Sequence, residues 1–157
     1  MIRLAKAVDA TTIAQLSRSQ IENGLPWRWK PGRVQHYIRD TGSTVIVSES
    51  ENRLSGFAIT SFAETSAHIS LLAVDPVFRR QGIATLLIRW LTQSCRVAGI
   101  GCIRLEVRAT NIDAIDCYLS LGFRKVGVRK GYYDGREDAQ LMALVLINPD
   151  IEAQRPT

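Results

Sequence analysis

Three observations predict an α/β fold for this chain of 157 residues. Segments with helical apolar spacing are interleaved with short strand-like runs, glycine and proline signals separate them, and the apolar content of 46% is that of a globular core. The length accommodates one domain, expected over residues 1–147, and the polar residues 148–157 are expected to form a flexible C-terminal tail. Glycine and proline together are 11 + 5 = 16 residues, too few for a disordered or collagen-like chain.

The elements follow in order. Residues 2–7 read as a short strand. Asp9 or Thr11 can cap a helix whose apolar side is Ile13, Leu16 and Ile21, stopped by Asn23-Gly24 ahead of Pro26. A second helix follows Pro31-Gly32 through Val34, Tyr37 and Ile38. Residues 44–48 and 56–62 read as a hairpin around Glu51-Asn52-Arg53. Residues 68–74 form a continuous apolar strand ended by Asp75-Pro76, because a residue before proline is pushed out of helical geometry. Ile83, Leu87, Leu91 and Ala98 define a helix over 81–98 closed by Gly99. Residues 103–108 alternate strictly, 113–121 form an amphipathic helix ended by Gly122, and strands 123–130 and 140–147 flank Asp134-Gly135.

Composition excludes several classes. The longest candidate apolar stretch, residues 83–91, is interrupted by Arg89 and is too short to span a membrane. The first residues lack an apolar run of signal-peptide length, so a cytoplasmic location is expected. Cys95, Cys102 and Cys117 are odd in number and lack metal-ligand spacing; they read as small buried hydrophobes, and no metal is expected. Lysine and arginine exceed aspartate and glutamate by 20 − 15 = 5, which favours an anionic partner: a phosphorylated cofactor, RNA or an acidic protein surface.

The segment Asp75-Pro76-Val77-Phe78-Arg79-Arg80-Gln81-Gly82-Ile83-Ala84 joins a buried strand to a helix through two arginines and a glycine. Free N–H groups at a helix start, the positive end of its dipole and a residue without Cβ are what a pyrophosphate needs. The segment has neither the Gly-Lys-Ser/Thr of a P-loop nor GxGxxG. An ordinary strand-to-helix turn with exposed arginines is the competing reading.

Arg79-x-x-Gly82-x-Ala84 after the strand 68–74 resembles the acetyl-CoA signature of the general-control-type N-acetyltransferase (GNAT) superfamily. Leu105-Glu106-Val107-Arg108, Asn111-x-x-Ala114-x-x-x-Tyr118, Leu121-Gly122-Phe123, Tyr132-Tyr133 and Glu137-Asp138-Ala139 with Met142 are similar to the bacterial RimI-type enzymes, which acetylate the N-terminal alanine of a ribosomal protein. The resemblance covers residues 68–144. It implies a mixed, mostly antiparallel sheet flanked by helices and splayed between residues 68–74 and 103–108. It further implies acetyl-CoA as co-substrate and a protein or peptide N-terminus as acceptor, with no membrane or nucleic acid involved and the chain a monomer or homodimer. Arg79, Arg80, Gln81, Gly82, Ile83, Ala84 and Thr85 would hold the pyrophosphate. Backbone groups of Leu72, Ala73 and Val74 would pair with pantetheine, joined by Asn111, Ala114 and Tyr118. The segment 132–139 is shorter than its counterpart in RimI-type enzymes.

Acetyl transfer from a thioester to an amine requires a neutral amine and a proton for the leaving thiolate. An α-amine of pKa ~8 is ~10% neutral at pH 7, against ~0.04% for lysine, a gap of ~200-fold. Arg104, Glu106 and Arg108 share one face of their strand, either as an ion-paired surface ladder or as a site. The resemblance makes Glu106 the base, directly or through a relay, and Tyr118 the acid; on residue pattern alone Tyr118 is equally a core tyrosine beside Ile115 and Leu119. His68 opens a strand, where a histidine is more often a hydrogen-bonded core or edge residue than a base. Trp27-Arg28-Trp29-Lys30 reads as packed tryptophans between two helices, with a grip on peptide or RNA as the lesser reading. Arg124, Lys125, Arg129 and Lys130 read as solvated strand positions. The rival functions are a small-molecule amine acetyltransferase acting on a polyamine or antibiotic, and a basic RNA-binding module.

Overall fold

The computed structural model describes residues 1–146. The tail expected at 148–157, and the last residue of the domain expected to end at 147, lie outside the described residues. The strands are β1 (Ile2–Leu4), β2 (Ser43–Ser50), β3 (Arg53–Phe62), β4 (Ser66–Val74), β5 (Cys102–Arg108), β6 (Arg124–Tyr133) and β7 (Glu137–Val145). The helices are α1 (Ala10–Gln20), α2 (Pro31–Arg39), α3 (Ile83–Val97) and α4 (Ile112–Ser120). The α/β class expected from the sequence is the class found. The chain forms two compact units, the first of Met1–Phe62 and Ile69–Leu91, the second of Ala63–His68 and the described residues from 92 onward.

In the first unit the strands lie in the order β1-β2-β3-β4. β1 and β2 both run antiparallel to their neighbours, and β2 and β3 form a hairpin whose turn residues Glu51 and Asn52 take φ of 53° and 62°. Left-handed pairs of this kind match the right-handed twist of a two-residue hairpin. Val45 faces Ile59 and Val47 faces Phe57 across the ladder, and these four pack with Ile13 of α1, Val34 of α2 and Leu71 of β4 in one core cluster. Pro31 opens α2 at its first turn, where a missing N–H costs nothing. Gly56 is required by space, since a Cβ there would meet Ala73 O and Ile83 Cγ2 at 3.0 Å each.

The start of the chain departs from expectation. β1 is three residues rather than six, because Lys6 leads into a 3-10 turn over Ala7–Asp9. Asp9 immediately precedes α1 but does not cap it with its side chain. Its carboxylate instead accepts from the Lys6 N–H at 2.7 Å and pairs with Arg3, whose other partner is Glu49. The Arg3 hydrogen bond holds the Asp9 carboxyl below the usual range.

In the second unit the order is β4-β5-β7-β6, β4 entering with its first residues. β7 runs antiparallel to both β5 and β6. β6 and β7 form a longer hairpin than expected, with register shifts between Lys125 and Gly127 and between Arg129 and Tyr133. α4 starts one residue earlier than expected and ends at Ser120, with Gly122 at φ 98° beyond it. Leu119 does not share the apolar stripe with Ile115 and Tyr118; it is 42% exposed, whereas Tyr118 is 7% exposed and stacks on Phe123 with centroids 5.5 Å apart. Cys95 is buried as expected, but Cys102 and Cys117 are only half-buried. Among the described residues no helix is long and apolar enough to cross a membrane.

Candidate active site

The turn that the sequence assigns to an anion lies wholly in the first unit. β4 is not uniformly buried; its side chains alternate, so Leu72 and Val74 are half-buried on one face while Leu71 and Ala73 are buried on the other. The chain then turns at Asp75, whose carboxylate accepts from the Val77 N–H at 3.0 Å and from Arg53 at 3.0 Å. Arg80 has φ 64° and Gly82 has φ 75°, two left-handed residues separated only by Gln81. A non-glycine residue held there is strained by roughly 1–3 kcal/mol, a cost that concentrates at ligand clamps.

The Leu86 N–H donates to Gly82 O at 3.0 Å, so the first ladder bond of α3 begins at Gly82. The N–H groups of Ile83, Ala84 and Thr85 therefore lie in the first turn, where no intrahelical acceptor exists. A Cβ at Gly82 would meet nothing within 4 Å, so the space beside its Cα is open. Arg79 donates to Gln20 Oε1 of α1 at 2.5 Å, which fixes the guanidinium at this turn. Left-handed backbone, helix-start donors and two arginines make this a fit for a pyrophosphate group.

The acid–base candidates lie in the second unit. Glu106 projects from β5 on the face shared with Arg104 and Arg108 and is opposite Leu141 of β7. It is not a solvated ladder charge: its side chain is 19% exposed, and its Oε2 lies 2.5 Å from Nε2 of His68. His68, expected as a core or edge residue, is half-exposed and is the direct partner of the candidate base. Sequence reasoning missed this pair. The one available signal was the alternation of β4, which puts His68 on the polar side with Ser66 and Ser70.

Tyr118 of α4 is buried, and that burial, followed by Cys117 beside it, pushes the phenol well above its ordinary value. A phenol so placed stays protonated, as an acid must before it acts. Burial likewise pushes up Tyr132 and Tyr133, with Glu106 contributing to both. Arg108 lies over the Tyr133 ring at 5.9 Å and reaches Glu137 at 3.6 Å, tying the β6–β7 hairpin to β5. Asn111 Oδ1 accepts from the Ala114 N–H at 3.2 Å and so caps α4.

A further arrangement the sequence did not disclose holds the loop between α1 and α2. Glu22 is buried, and its carboxylate accepts from Ser17 Oγ and from the N–H groups of Arg28 and Trp29. Trp27 and Trp29 pack on the core as expected, each under an arginine, Arg18 at 4.8 Å and Arg33 at 3.9 Å. Arg124, Lys125, Arg129 and Lys130 are exposed. Among the described residues no cluster of histidine, cysteine and carboxylate groups could hold a metal ion.

The acetyltransferase (GNAT) family profile matches residues 11–123. The ribosomal protein bS18-alanine N-acetyltransferase of Escherichia coli K12 is 42% identical over 95 residues, which are 59% of this chain and 64% of that relative's length. An N-alpha-acetyltransferase of Saccharolobus solfataricus is 31% identical over 155 residues, covering 90% of each chain. The crystal structure of the ribosomal-protein-S18-alanine N-acetyltransferase from Escherichia coli superposes with a TM-score of 0.79 at 30% identity, covering 94% of each chain.

Proposed function

We propose that the chain, which belongs to the acetyltransferase (GNAT) family, moves the acetyl group of acetyl-CoA onto the N-terminal α-amine of a protein such as a ribosomal protein. The observation that carries the co-substrate is the turn of Arg80 and Gly82 at the head of α3, with its left-handed backbone and open space at the glycine. The N-terminal acetyltransferase names of the relatives support the acceptor. Arg79, Arg80 and the N–H groups of residues 81–85 bind the pyrophosphate. Backbone groups of Leu72, Ala73 and Val74 align pantetheine, with Asn111 and Ala114 at the head of α4.

The chemistry is direct transfer. The amine nitrogen bonds to the acetyl carbonyl carbon, the carbon–sulfur bond breaks, the proton leaves the amine to Glu106 directly or through a relay, and Tyr118 gives one to the thiolate. No nucleophilic cysteine and no metal take part. The proposal includes a cytoplasmic location and a monomer or homodimer working without nucleic acid.

Acetyl-CoA turnover against three acceptor sets tests the reading: peptides with free N-termini, N-terminally blocked peptides containing lysine, and polyamines. Mass spectrometry is expected to place the acetyl group on the free α-amines. Transfer confined to polyamines would move the protein to the small-amine reading, and no turnover with any amine would end the acetyltransferase reading.

A further inference from the structure

We infer that the proton leaves the acceptor amine through His68, with Glu106 acting behind it. The inference rests on the acetyl-transfer reading and specifies the relay within the same site. The imidazole Nε2 lies 2.5 Å from Glu106 Oε2, so the carboxylate accepts the Nε2–H. Fixing the proton on Nε2 leaves Nδ1 as a free lone pair. Nδ1 has no hydrogen-bond partner among the described residues.

Exposure orders the two groups. The His68 side chain is 36% exposed and that of Glu106 is 19%. The imidazole is the member of the pair that an incoming amine meets more readily, and the carboxylate is the one behind. Glu106 raises the phenols of Tyr132 and Tyr133 of β6 by its charge and is flanked by Arg104 and Arg108 on its own strand. Both tyrosines are held protonated, so neither competes for the amine proton. A carboxylate that orients an imidazole and stabilises the imidazolium it becomes is a recurring arrangement for taking a proton from a weak acid.

The step balances. As the amine nitrogen bonds to the acetyl carbon, its proton passes to His68 Nδ1, giving an imidazolium whose Nε2–H stays on Glu106. The carbon–sulfur electron pair goes to sulfur, which takes the Tyr118 proton. The imidazolium then releases its proton to solvent and the tyrosine regains one, so one proton has moved from amine to thiol.

The test separates relay from positioning. His68→Gln keeps a side-chain N–H for Glu106 but cannot take a proton, and His68→Ala opens space for imidazole added to the solution. With the wild type active on a peptide N-terminus, His68→Gln is expected to lose ~10²-fold in kcat/KM at neutral pH, and imidazole to restore ~10-fold or more to His68→Ala. The KM for acetyl-CoA should not change in either variant. Nitrogen NMR of the wild-type imidazole should show the Nε2–H tautomer, and Glu106→Gln should abolish that preference.

Wild-type kcat/KM in His68→Gln alongside a damaged Glu106→Gln would overturn the relay and leave acetyl transfer standing. An Nδ1–H tautomer in the wild type would overturn it without reference to activity, and so covers the case in which a variant fails to fold. Absence of turnover in the wild type would instead count against the acetyltransferase reading, with the tautomer still deciding whether the pair exists.

Discussion

The turn at residues 79–85 and the pair His68–Glu106 are made of different materials. The turn offers backbone: two left-handed residues, N–H groups at the head of α3 and space where a side chain is missing. The pair consists of side chains brought together from strands β4 and β5, 38 positions apart in sequence. Backbone binding tolerates many side chains but fixes the conformation at one or two residues. Side-chain chemistry tolerates many backbones but fixes atom identity at every position. The two regions should therefore fail in different ways when altered.

The largest effect is expected on the side-chain half. Tyr118→Phe removes the phenolic proton from a buried position while keeping the ring against Phe123. It should lower kcat by ~10²-fold or more, because the thiolate must then depart unprotonated. Burial keeps the phenol protonated across the working range, so the loss should persist at every pH up to the alkaline limit of stability. A kcat profile that recovers at high pH would show that Tyr118 serves packing alone.

Next is the anchor of the loop between α1 and α2. Glu22→Ala removes the acceptor shared by Ser17, Arg28 and Trp29. It should cost about 2 kcal/mol of stability, read as a fall in Tm of about 4–8 °C by calorimetry. An unchanged Tm would mean that the tryptophan packing holds the loop without it.

Gly82→Val gives a smaller effect. The new side chain meets no protein atom, so the fold should survive with a modest loss from the positive φ. The Kd for acetyl-CoA should rise by roughly 10-fold in titration calorimetry, about 1.4 kcal/mol. An unchanged Kd would remove the pyrophosphate from this turn.

The same contrast explains what the sequence disclosed. The turn was legible because its requirements are local: Gly82, the two arginines and the end of the strand at Asp75-Pro76 lie within one short stretch. Helix spacing located α3 to within two residues, because a period of 3.6 is written along the chain. The cap of α4 is local as well, since Asn111 accepts from the N–H three residues on. The pairing of His68 with Glu106 was not readable, since it depends on which strands become neighbours and in what register. Leu119 was misplaced on the apolar stripe because the buried side of α4 is narrow, holding Ile115 and Tyr118 three positions apart and leaving Leu119 exposed beside them. Glu22 carried no local signal, since two of its three donors come from the return of the chain at Arg28 and Trp29. The length of β6 was missed because bulges interrupt the alternation that would have revealed it.

The most direct measurement compares kcat/KM against pH for the wild type and Glu106→Gln, with a peptide offering a free α-amine and with an N-terminally blocked lysine peptide. The account predicts that the α-amine is the preferred acceptor. It predicts a Glu106→Gln defect concentrated below about pH 8 and shrinking above it, where the α-amine is neutral without help. Coincident wild-type and Glu106→Gln profiles with every accepted amine would contradict the account and make Glu106 a structural partner of His68 alone.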